Sequence, residues 1–266
     1  MVPLQVFGAV VALLVAAREG RRGTEAGRWI NFWCLVIALW AAEWAGHILF
    51  GLHSYTDGWW RPLGPVPPLA PLVWAAVITT AARLAGGRAV VAGCIVAFDL
   101  AVIGPVGIQS GLWIWQKPGL FDFPLEASVA WGGFAAGWVG IMDAGRTSPL
   151  WERIALALPV AFVGMLVMSA GLGWVLSHVD PQPFIVPHLW AVIAGWMLSA
   201  GVAWRVAARG HADPRAALER LPGAALVGAL LIAYGHDVPP LVAFAAGALP
   251  PYLATCMPLW LTPRAQ

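Results

Sequence analysis

The feature that most constrains this chain is a succession of apolar stretches, each near the length that crosses a bilayer, divided by short polar connections. A transmembrane helix takes about 20 apolar residues. Stretches of that kind fall at 2–17, 29–51, 69–86, 89–108, 127–142, 154–177 and 188–206. Beyond residue 222 the apolar run is interrupted by Gly235-His-Asp-Val-Pro-Pro240 and divides into 223–235 and 241–260. Composition agrees, because 60% hydrophobic and 11% charged residues leave too little charge to cover a soluble domain of 266 residues. Seventeen tryptophans fit a membrane setting, where Trp favours the interfaces. The pattern predicts an all-α, polytopic transmembrane helical bundle of about eight or nine membrane helices, built as one domain over 1–266. No basic segment precedes the first apolar run, so that run reads as a retained helix and not as a cleaved signal.

The basic residues predict an orientation. Arg18, Arg21, Arg22 and Arg28 follow the first stretch, Arg83 and Arg88 the third, Arg146 and Arg153 the fifth, and Arg205, Arg209, Arg215 and Arg220 the seventh. The alternate connections hold only Arg61 and Lys117. Positive charge collects on the cytoplasmic side, which predicts an N-terminus outside and a multi-pass protein of the cell membrane. The connections 52–68, 109–126 and 178–187 then lie on the non-cytoplasmic side. Ala212–Leu221 reads as a short interfacial helix with Asp213 as its cap and Pro214 in its first turn.

Acids at bilayer depth cost about 2.5–3.5 kcal/mol on insertion scales and face a bundle interior or cavity. Two stand out, Glu43 in the second stretch and Asp99 in the middle of the fourth. Glu43 and His47 are four apart and share a helix face, and Gly46 leaves that face open to close approach. The following connection carries His53, Tyr55, Asp57, Trp59 and Trp60, and Trp74 opens the next helix. Trp113 and Trp115 alternate as in an extended segment, with Asp122 and Glu126 on either side of Pro124 and Trp131 beyond. Singly, Asp122 and Glu126 read as solvated rim carboxylates. His178, Asp180, His188, His236 and Asp237 read as polar groups at helix ends.

Absences narrow the chemistry. There is no Asp-rich run to hold Mg²⁺ on a diphosphate, and six scattered histidines do not supply a di-iron cluster. Nucleotide fingerprints and the Gly-x-Ser-x-Gly elbow are missing. The three cysteines, Cys34, Cys94 and Cys256, lie in apolar stretches at no metal-binding spacing. No metal, cofactor or nucleic acid is implied. What remains is an acid in an apolar, aromatic pocket. Low dielectric favours a carboxyl's protonated form, and such a group beside an alkene acts as a Brønsted acid. Aromatic faces stabilise the resulting cation by about 0.5–2 kcal/mol each.

With these residues in view, the chain resembles the integral-membrane carotenoid biosynthesis family that includes the bacterioruberin-type carotenoid hydratases. The family's Glu-x-x-Gly stands as Glu43-Trp-Ala-Gly46. Its Phe-Gly-x-Tyr-x-Tyr-Thr stretch matches at Phe50, Gly51, Tyr55 and Thr56. Its Val-Pro-x-x-x-Pro-Leu-x-Trp run matches at Val66, Pro67, Pro71, Leu72 and Trp74. Asp99, Pro105, Trp113, Trp115, Gly119, Pro124 and Trp131 follow in the family's order, so the resemblance covers residues 40–140. His53 replaces the family's first Tyr, Gly104 the Asp of an Asp-Pro pair, and Ala127 an Asn.

The resemblance implies an enzyme that protonates a terminal alkene of a carotenoid or polyprenyl chain and adds water. Glu43 or Asp99 would be the acid, with His47, His53 and Tyr55 orienting it or the water. Trp59, Trp60, Trp74, Trp113, Trp115, Trp131, Asp122 and Glu126 would line the substrate site. Partners would be membrane lipid, the isoprenoid itself and other carotenoid or terpenoid biosynthetic enzymes. A cyclase shares the first step but captures the cation with a second alkene. A transporter or a non-catalytic subunit is the reading from a different class.

Overall fold

In the computed structural model the described residues are 2–21, 26–116, 121–144, 148–179, 216, 218–234 and 238–254. Among them, eight α-helices follow one another: α1 (Val2–Arg21), α2 (Ala26–Trp44), α3 (Leu69–Leu84), α4 (Ala89–Gln109), α5 (Leu125–Ala144), α6 (Leu150–Val179), α7 (Leu221–Tyr234) and α8 (Pro239–Ala254). A π-helical turn, Ala45–Leu49, continues α2. Two short strands, β1 (His53–Tyr55) and β2 (Trp113–Trp115), pair antiparallel with His53 opposite Trp115 and Tyr55 opposite Trp113.

This corrects the expectation of eight or nine membrane helices. Only three described helices are long and apolar enough to cross a membrane: Trp29–Leu49, Ala89–Gln109 and Leu150–Leu172. Length is one reason. At 1.5 Å per residue the 16 residues of α3 rise about 24 Å and the 14 of α7 about 21 Å, against a hydrocarbon core of about 30 Å. Composition is another, since α5 is diluted by Gly132, Gly133, Gly137 and Gly140 and bounded by Glu126 and Asp143. The expected stretch at 188–206, most of the Ala212–Leu221 helix, and Asp180, His188, His236 and Asp237 lie outside the described residues.

Small residues build the packing. A Cβ on Gly93 would stand 2.5 Å from the Gly132 carbonyl oxygen, and one on Gly133 would stand 2.4 Å from that of Gly164. The backbones of α4, α5 and α6 therefore approach to a distance that only glycine permits, the mode that holds helices together where burial of apolar surface gives little drive. Phe134 and Trp138 fill the remaining core between these helices. On the other side, α1, α2 and α3 close around Phe32, Leu35, Leu39 and Ile78. A cavity lies between the two halves, and the β1–β2 ribbon covers one end of it.

Candidate functional site

Hydrogen bonds between the segments flanking the two strands tie the arms of the ribbon to each other. Gln116 N–H donates to the Leu52 carbonyl at 2.9 Å. The Trp59 indole donates to the Leu112 carbonyl at 2.6 Å, and the Thr56 hydroxyl to that of Gly111 at 2.6 Å. Gly51 (φ 56°) and Gly111 (φ 69°) turn the chain into the two strands, a backbone region that costs other residues strain. Gly107 allows the ribbon to seat, since a Cβ there would lie 2.3 Å from the Trp113 ring.

Glu43 stands under this lid, 3% exposed, at the end of α2. The Tyr55 hydroxyl donates to its Oε2 at 2.9 Å, and His53 Nε2 shares a hydrogen bond with the same oxygen at 2.7 Å. Oε1 has no hydrogen-bond partner among the described residues, and Glu43 lines the cavity. Burial pushes the Tyr55 hydroxyl well above its ordinary range, and the charge of Glu43 and the bond to it add to the shift. Tyr55 is therefore held as a donor. His53 stacks on Trp115 at 4.8 Å between ring centres. Gly46 lies close to the same ring, where a Cβ would come within 3.2 Å of His53 Cε1. The π-turn that follows Glu43 carries Gly46 and His47, and His47 Nδ1–H donates to the His53 carbonyl at 2.7 Å. Such one-turn widenings recur at functional sites.

The cavity measures ≈ 180 Å³. Its lid end is lined by Glu43, His53, Tyr55, Trp59, Trp113 and Trp115. Trp74 and Trp131, stacked at 5.8 Å, form part of its wall. At its base lie Thr80, Asp99, Glu219 and Arg220. Along α3 the lining runs from Leu69 to Thr80, eleven residues or about 16 Å of helix rise, so the space is elongated along the helices.

Asp99 is 2% exposed and accepts a hydrogen bond from Arg220 Nη2 at 2.5 Å. Arg220 is itself 4% exposed and stands immediately before α7. Beside this pair, Arg83 Nη1 donates to Glu219 Oε2 at 2.6 Å and to Glu19 Oε1 at 3.1 Å, and Arg18 pairs with Glu219. The base thus joins the ends of α1 and α3 to the middle of α4 and the start of α7.

The structure divides the residues singled out from sequence. Glu43, His53, Tyr55, Trp59, Trp74, Trp113, Trp115, Trp131 and Asp99 share one cavity. Trp60 does not, being 68% exposed with its backbone N–H bonded to Gln5. Asp122 is exposed and accepts from Gln109 at 3.3 Å, outside the cavity. Glu126 also lies off the cavity, in the first turn of α5, where a carboxylate favours the helix dipole. His47 acts through the His53 backbone and does not reach the cavity wall. At Gly104, where the resemblance would place a second acid, the Phe123 ring occupies the space, with a Cβ only 2.6 Å from it.

Arg220, Glu219 and Thr80 were missed by sequence reasoning. Arg220 counts there only as one more basic residue of an Arg-rich connection, and nothing local links it to an acid 121 residues earlier. No family model, no curated protein and no solved structure matches this chain.

Proposed function

We propose that this chain is an enzyme of isoprenoid biosynthesis, seated in the cell membrane and crossing it more than once, that hydrates a terminal alkene of a carotenoid or polyprenyl substrate. The observation that carries the reading is the setting of Glu43. Its Oε2 is held by Tyr55 and His53, its Oε1 is unengaged among the described residues, and it lines an aromatic cavity.

In this reading the proton on Glu43 Oε1 adds to the less substituted alkene carbon, and the π pair forms the new C–H bond. The positive charge on the tertiary carbon faces tryptophan rings, which attract it by about 0.5–2 kcal/mol each. Water bonds to that carbon, and the proton it sheds returns to the Glu43 carboxylate. Tyr55 and His53 stabilise the carboxylate while it is charged. The sum is addition of one water, with no co-reactant. General acid catalysis of this kind contributes about 10²–10⁴-fold.

Size supports a substrate that enters by one end. A cavity of ≈ 180 Å³ exceeds the roughly 150 Å³ that admits benzene and falls below the roughly 300 Å³ where pockets for whole drug-sized ligands begin. It suits the end of a long chain. Glu43 is preferred over Asp99 as the acid, because Asp99 is bonded to a guanidinium.

The cyclase is the second reading, favoured by Phe123 over Gly104 and by an apolar wall that gives water little purchase. Mass spectrometry of products from lycopene-producing cells expressing the chain separates the two. A gain of one or two waters, lost in Glu43→Gln, supports the hydratase. An isomer of unchanged mass supports the cyclase. Unaltered lycopene, with polyprenyl substrates equally untouched, would sink both.

A further inference from the structure

An alkene can take a proton from Glu43 only if the acid's hydrogen stands on the oxygen that its hydrogen-bond partners leave open. We infer that His53 is the positioning residue that puts it there: a neutral imidazole with its hydrogen on Nε2, it donates to Glu43 Oε2 and leaves Oε1 to carry the acidic hydrogen. The inference deepens the isoprenoid reading above and rests on it.

Three observations lead there. The first is the setting of the ring's second nitrogen. His53 is 7% exposed, and its Nδ1 is buried with no hydrogen-bond partner among the described residues. A Cβ on Gly46 would stand 3.2 Å from His53 Cε1 and 3.6 Å from Nδ1, so this edge of the ring meets a glycine, with no side chain to accept from it. The Gly46 carbonyl already accepts from Leu52 N–H at 2.9 Å. A hydrogen on Nδ1 would be a stranded donor, and an imidazolium would strand one that carries charge. The hydrogen therefore belongs on Nε2, which has Glu43 Oε2 at 2.7 Å.

The second is the double load on Oε2. The Tyr55 hydroxyl donates to it at 2.9 Å, and Nε2–H is its second donor. In a carboxylic acid the carbonyl oxygen is the stronger acceptor and the hydroxyl oxygen is the donor. An oxygen that accepts twice is the carbonyl oxygen, which makes Oε1 the hydroxyl.

The third is how the ring is held. It stacks on Trp115 at 4.8 Å between centres, and its own residue's carbonyl accepts from His47 Nδ1–H at 2.7 Å. Backbone and ring together keep Nε2 against Glu43. His53 then donates throughout the reaction, to a carbonyl oxygen before the proton leaves Oε1 and to a carboxylate afterwards. It is not the base that takes the proton from water. Acid and base are one and the same carboxyl.

The test is nitrogen NMR of the His53 ring in the purified full chain in detergent. Leu52–His53 is the one Leu–His step in the sequence, so paired labelling of Leu and His assigns the signal. The expected result is a hydrogen on Nε2 and a bare Nδ1 at neutral pH. A hydrogen on Nδ1, alone or as part of an imidazolium, overturns the inference. Product analysis in lycopene-producing cells is the second readout. Gln places an amide N–H near the position of Nε2, and Asn near that of Nδ1. His53→Gln should form about tenfold more product than His53→Asn, the worth of one hydrogen bond to a charged group. Equal product from the two, with thermal unfolding matched, overturns the inference. Should either variant fail to fold, the spectrum of the native chain decides. Absence of product from any isoprenoid, with the hydrogen found on Nε2, sinks the isoprenoid reading while upholding His53 as the donor to Glu43.

Discussion

At the lid of the cavity, Glu43 is held by a tyrosine and a histidine that arrive from a ribbon ten and twelve residues away; at the base, Asp99 is held by a guanidinium 121 residues away. Both acids are nearly fully buried and both line the cavity. The difference in partner separates their roles. An acid bonded to a guanidinium is committed to charge balance, and removing the guanidinium strands the carboxylate. An acid held by a hydroxyl and an imidazole has no guanidinium fixed against it. The base ties helices together, whereas the lid leaves a carboxyl on the cavity wall.

The sharpest way to break this comparison is to treat the acids alike. Arg220→Met alone should cost about 3–5 kcal/mol of stability, since it leaves the Asp99 carboxylate uncompensated in the core. The double variant with Asp99→Leu should recover most of it, because an apolar pair of similar volume is often neutral. Thermal unfolding in detergent reads both. A base indifferent to single substitution would mean that Asp99 is as available as Glu43. Glu43→Gln should instead lower product formation about 10²–10⁴-fold, or 3–5 kcal/mol in barrier, while unfolding changes by less than about 1 kcal/mol.

The two ends also differed in how far they could be read from sequence. Glu43, His53 and Tyr55 lie within thirteen residues, and Gly46 between them marked an open face, so the lid was legible as a candidate constellation. Arg220 was not, because pairing across the whole chain leaves no local trace. The count of membrane helices failed for a different reason: hydropathy marks an apolar stretch but not the length of the helix that forms from it. Within the described residues the apolar stretches are helical, but α3 and α7 are too short to cross alone.

A smaller perturbation tests whether the lid depends on backbone approach. Gly46→Ala would press a methyl to 3.2 Å from His53 Cε1, and the ring is held by its stacking on Trp115 and its bond to Glu43. Overpacking of this kind costs about 1–3 kcal/mol. The expected result is a parallel drop in activity and stability. Full activity in Gly46→Ala would show that His53 need not sit where it does.

The mildest change isolates one hydrogen bond. Tyr55→Phe removes the hydroxyl from Glu43 Oε2 and leaves the ring between His53 and Trp59, so it should cost about 1 kcal/mol and slow turnover several-fold. The pH dependence gives a second readout. The folded Tyr55 hydroxyl titrates well above its ordinary value near 10, so above pH 10 the unfolded chain loses this proton while the folded chain keeps it. The stability that Tyr55 contributes is complete below pH 10 and declines as pH rises beyond it. Tyr55→Phe should flatten that decline while leaving the profile below pH 9 displaced but parallel. An unchanged alkaline slope would mean that Tyr55 reaches solvent as a phenolate, and that the lid does not close over Glu43 as tightly as the ion pairs close the base.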